Sequence, residues 1–114
     1  MYIIENKEGE TIARIHNMII LDASLEQVMG IIIGDCFFGR DNKVVGKIFN
    51  SIAYLTNGEI VGKLAMKKKP DSITIKKAQL LLAWDILSNI KEHTCAWIDE
   101  TTKWSNKSLK DVLA

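Results

Sequence analysis

Thr11-Ile12-Ala13-Arg14-Ile15, Val28-Met29-Gly30-Ile31-Ile32, Val44-Val45-Gly46-Lys47-Ile48 and Ile60-Val61-Gly62-Lys63-Leu64 are four versions of one phrase. Each has two apolar or β-branched residues, a small residue, a variable position and a final Ile or Leu. The second copy slips by one residue, with Gln27 before Val28. Aligned on the small residue, Ala13, Gly30, Gly46 and Gly62 lie 17, 16 and 16 positions apart. A constant period of this kind marks a repeat architecture, in which one supersecondary unit is used several times.

Working outward from each phrase, a turn precedes it, and another apolar segment precedes the turn. These segments are Tyr2-Ile3-Ile4, Met18–Leu21, Cys36-Phe37-Phe38 and Ile52–Leu55. They are short and rich in β-branched and aromatic residues, which is strand chemistry at strand length. Asn57-Gly58 is the strongest hairpin signal and predicts a two-residue type I′ turn. Asp41-Asn42 and Glu8-Gly9 stand in equivalent places, and the second copy has a longer loop, Asp22–Glu26, carrying Leu25. His16-Asn17, Gly34-Asp35 and Asn50-Ser51 read as tight links between copies. The expectation is therefore an α+β chain: a four-fold repeat of β-hairpins, eight short antiparallel strands, followed by C-terminal helices. A small residue repeated inside a strand marks close approach. Its regular return predicts backbones converging on a common axis, in a ring that leaves no sheet edge unpaired.

The pattern resembles the 4-fold β-flower domain, a small bacterial repeat family. Lys43–Ile48 and Asn57–Leu64 carry the likeness most clearly, and it covers about the first 65 residues. Ala13 in place of Gly and the long second loop depart from it. The resemblance implies a fold and no activity, so it transfers no catalytic residue.

The chain divides into a β repeat over 1–66 and a basic linker with a helical region over 67–114, packed together as one domain. Lys67-Lys68-Lys69-Pro70 makes the break, with the only proline in the chain. A length of 114 residues suits a single core. Ile75–Ile90 is predicted to be a helix, capped by Asp71 or Ser72. Ile75, Ala78, Leu82, Ile86 and Ile90 share one face, and Leu81, Trp84 and Leu87 widen the apolar arc. This helix is expected to cover an open face of the ring and to pair with its symmetry mate. Ser108-x-x-Asp111 resembles a capping box opening a last short helix with Leu109, Val112 and Leu113.

Function is less legible. Fifteen basic against fourteen acidic residues give a net charge of +1, so neither nucleic acid nor membrane is expected as a partner. The five lysines at 67–69, 76 and 77 read as a solvated run. The N-terminus reads as no signal peptide. Cys36 and Cys95 read as two buried thiols in a reducing compartment, which places the protein in the cytoplasm. No phosphate loop, dinucleotide fingerprint or nucleophile elbow is written anywhere, and no cofactor or metal is expected. Weak catalytic candidates are His93, Cys95 and Asp99, since an imidazole can activate a neighbouring thiol. On a helix, however, His93 and Cys95 would point about 200° apart. The favoured reading is a non-catalytic interaction or scaffold module that forms a homo-oligomer. Its expected interface residues are Leu81, Trp84, Leu87, Trp97 and Trp104. The alternative is a small hydrolase or thiol enzyme with a site between repeat and helices.

Overall fold

A computed structural model describes residues 2–40, 43–66, 76–90 and 98–113. Among the described residues there are eight strands: β1 (Tyr2–Glu5), β2 (Thr11–His16), β3 (Ile19–Asp22), β4 (Val28–Ile33), β5 (Cys36–Gly39), β6 (Val44–Phe49), β7 (Ile52–Leu55) and β8 (Ile60–Met66). They pair in chain order, every pair antiparallel, and β8 closes back on β1 through Tyr2↔Met66 and Ile4↔Leu64. The result is a closed barrel without free edges. Two helices follow among the described residues, α1 (Lys77–Asn89) and α2 (Leu109–Leu113). No helix among the described residues is long and apolar enough to cross a membrane.

Side chains alternate along the strands, as the pleat requires. Ile20 and Phe37 point inwards, into a core shared with Ile4, Ala13, Met29, Leu55 and Val61. Their neighbours Ile19, Leu21, Cys36 and Phe38 face outwards into a second cluster. The small residues of the repeated phrase sit opposite inward side chains: Ala13↔Ile4, Gly30↔Ile20, Gly46↔Phe37 and Gly62↔Ala53. In each of those four strand pairs the register shifts immediately after the partner, at Ile4/Glu5, Ile20/Leu21, Phe37/Phe38 and Ala53/Tyr54. Such shifts bend and twist the strands. A Cβ on Gly46 would lie 2.7 Å from the Phe37 ring and would collide with the Tyr54 carbonyl oxygen. The close approach is therefore of two kinds at Gly46: the backbone carbonyl of Tyr54 comes in from one neighbouring strand and the Phe37 ring from the other.

The turns correct one expectation. Asn57-Gly58 does not form a type I′ turn: only Gly58 has positive φ, and its N–H donates to the Leu55 carbonyl at 2.8 Å. Gly9 and Leu25 hold the same left-handed position in their loops. The type I′ geometry, with two successive positive φ values, lies instead in the links, at Asn17-Met18 and Asn50-Ser51.

The longer helix also departs from its expected placement. The helix predicted over 75–90 spans Lys77–Asn89, and the proposed caps Asp71 and Ser72 lie outside the described residues. It buries Gln79, Ala83, Ile86 and Ile90, whereas Ala78 is exposed. It lies against the outer wall of the barrel, on the cluster built by Ile19, Val28, Ile31 and Phe38, and does not cover an open end. The end bearing the hairpin loops is closed by α2. Leu109 and Leu113 enter the interior core, and the Leu113 carbonyl accepts a hydrogen bond from Arg40 N–H. Ser108 caps this helix as expected, its Oγ accepting from Asp111 N–H at 3.2 Å.

The approach to α2 exploits a gap in the barrel. β1 ends at Glu5, opposite Lys63, so the first residues of β8 have no partner from β1. Ile60 N–H donates instead to the Lys103 carbonyl, and the Ile60 carbonyl accepts from Ser105 N–H, both at 2.8 Å. This parallel bridge fixes the strap that leads into the plug.

Candidate functional site

Surface chemistry concentrates on α1. Taking about 100° per residue, the buried positions Gln79, Ala83, Ile86 and Ile90 define one side of the helix. Diametrically opposite runs the stripe Lys77, Leu81, Trp84 and Ser88. Leu80 and Leu87 flank it on one side, Ala78 and Asp85 on the other. Trp84 is 65% exposed, Leu81 60%, Leu80 40% and Leu87 37%. The helix thus turns Leu81 and Trp84 to solvent and seats itself with Gln79, Ala83 and Ile86, and with Ile90 at its C-terminal end. Met18, 61% exposed in the β2–β3 link, extends the patch onto the barrel. Between them lies an apolar groove of about 220 Å³, lined by Met18, Ile31, Ile33, Leu80, Trp84 and Leu87.

What holds α1 in this orientation is the long second loop. Gln79 Nε2 donates to the carbonyls of Leu25 and Glu26 at 2.9 and 3.0 Å, and Gln79 Oε1 accepts from Lys76 N–H at 3.0 Å. One buried amide therefore caps the helix and ties it to the barrel. The loop itself is set by Asp22, whose Oδ1 accepts from Glu26 and Gln27 N–H. Asp22 is a turn residue, as its position in the sequence implied.

Of the expected interface residues, Leu81, Trp84 and Leu87 are brought together on this face. Trp104 is not with them. It is half-buried against Tyr54, Ile60 and Ile98 on the opposite wall, with Lys63 Nζ 5.9 Å from its ring centroid. Trp97 lies outside the described residues, as do His93 and Cys95. Asp99, the remaining catalytic candidate, is exposed, and its backbone carbonyl packs tightly on Gly58. Leu80 and Met18 were missed by sequence reasoning. Met18 carried a usable signal, because a large residue beside Asn in a tight link has no core to join.

Cys36 overturns the expectation of two thiols. It is disulfide-bonded and 2% exposed, and Cys95 is the chain's other cysteine. The ground for expecting a reducing compartment is thereby removed. Elsewhere, two open grooves of about 530 and 490 Å³ flank residues 105–107 at the plugged end. Their rims mix Lys7, Lys43 and Lys107 with Glu8 and Glu59, so neither presents a single sign of charge. Among the described residues no group of three or more His, Cys, Asp or Glu is placed to hold a metal. No family model, curated protein or solved structure matches the chain.

Proposed function

We propose that the protein is a non-catalytic interaction module, in which a plugged barrel serves as a rigid scaffold for an outward-facing apolar helix. The observation that carries this reading is the exposure of Leu81 and Trp84 on the side of α1 opposite its seat. A contiguous apolar patch rimmed by polar residues is typical of docking surfaces, and tryptophan is the residue most enriched where binding energy concentrates. The recurrence of one register shift in every second strand pair, β1–β2, β3–β4, β5–β6 and β7–β8, supports reading the barrel as four copies of one hairpin, in the manner of the 4-fold β-flower family. The test is to replace Leu81 and Trp84 by Glu and compare association with the wild type, by light scattering for self-association and by affinity capture for other proteins. The reading expects association to be lost while the fold is kept. Identical association by wild type and variant in both assays would overturn it.

A further inference from the structure

We infer that the occupant of the outward α1 face is the same face of a second copy, with the two helices antiparallel across a two-fold axis at Leu81. This rests on the docking role proposed above and supplies its partner. The stripe Lys77, Leu81, Trp84 and Ser88 has the four–three–four spacing of a helix–helix seam. A two-fold interface must also be self-complementary, each residue finding a suitable mate on the same surface. Here it does. Lys77 and Asp85 each lie four residues from Leu81, so the axis sets each lysine beside the partner's Asp85. Trp84 and Ala78 each lie three residues from Leu81, so the indole meets the exposed methyl of the partner's Ala78, where there is room for it.

The ends of α1 point the same way. The helix carries no acidic residue in its first turn and no basic residue in its last. Instead Lys76 and Lys77 stand at the N-terminal end. That arrangement opposes the macrodipole of an isolated helix. In an antiparallel pair with its axis at Leu81, Lys77 lies instead beside Asp85 in the C-terminal half of the neighbouring helix, where positive charge is better placed. The area is adequate as well. Complete burial of the exposed parts of Met18, Leu80, Leu81, Trp84 and Leu87 on both copies would remove at most about 1,000 Å² from water, the lower limit for a specific interface.

The test is light scattering of the full chain across the micromolar range, for the wild type and five variants: Trp84→Glu, Leu81→Glu, Lys77→Glu, Asp85→Lys and the double reversal Lys77→Glu with Asp85→Lys. The expected result is a wild-type dimer, reduced to monomer by Trp84→Glu and by Leu81→Glu, with the circular dichroism of the barrel unchanged. Each single charge reversal is expected to weaken the dimer about tenfold, and the double reversal is expected to restore it. A dimer that the double reversal fails to restore would overturn the antiparallel arrangement while leaving the docking face intact. A wild-type monomer at every concentration would overturn the second copy as occupant. In that case, a captured protein lost on Trp84→Glu would preserve the docking role with a different partner. A thermal midpoint lowered by Trp84→Glu would assign the face to the protein's own chain, and no change in either would end both readings.

Discussion

The two helices make opposite use of similar side chains. α2 has five residues and commits Leu109 and Leu113 wholly to the barrel interior, at 2% and 0% exposure. α1 has thirteen residues, yet leaves four large apolar side chains in water. Length and apolar content alone would assign the longer helix to the core. Seating decides otherwise: the plug completes a closed cavity, whereas α1 lies on a convex outer wall that can touch only one side of it. A helix on such a wall has a second side to offer.

That contrast can be broken or sharpened by substitution. Leu113→Ala is expected to cost about 3 kcal/mol, because it empties a fully enclosed site. A urea midpoint displaced by that amount would support α2 as part of the core, and an unchanged midpoint would make it an ornament. Cys36→Ser, or reduction of the wild type, is expected to cost about 2–4 kcal/mol, checked by the same unfolding curve with and without reductant. Gly46→Ala should cost about 2 kcal/mol, since the added methyl meets the Phe37 ring and the Tyr54 carbonyl. Gly34→Ala, where nothing lies within 4 Å and only the φ of 60° opposes it, should cost about 1 kcal/mol. Equal effects would show that the barrel interior has slack at Gly46. At the small end, Trp84→Glu should leave thermal stability within about 0.5 kcal/mol of wild type in protein dilute enough for both to be monomeric, as befits a side chain that α1 does not use for its own seat.

Much of the barrel was legible because its signals are local. Eight strands follow from short β-branched runs, and the links at Asn17 and Asn50 from residues that tolerate positive φ. The Asn57-Gly58 turn misled because the dipeptide suits two geometries. The hydrogen bonds around Leu55 and Glu59, not the dipeptide, select the one in which glycine alone is left-handed. The small-residue period was legible as a demand for close approach, but not what approaches: at Gly46 it is the Tyr54 carbonyl from one neighbouring strand and the Phe37 ring from the other. The orientation of α1 was hidden for the same reason. Periodicity marks two apolar faces on this helix and cannot rank them. The ranking comes from Gln79, a polar residue drawn inward by carbonyls more than fifty positions away. Leu81, Trp84 and Leu87 come together because they recur at helical spacing on one helix, whereas Trp104 joins a different wall, which its size could not indicate.

The most direct test of the account is amide hydrogen exchange of the full chain, followed by mass spectrometry at two protein concentrations. The account predicts that Leu109–Leu113 exchanges only with global opening of the barrel, at a rate independent of concentration. It predicts that Lys77–Asn89 exchanges faster in dilute protein and gains protection as concentration rises. Equal protection of the two helices, unaffected by concentration, would contradict it: α1 would then be as fully committed to the fold as the plug, and its exposed face would have no partner to wait for.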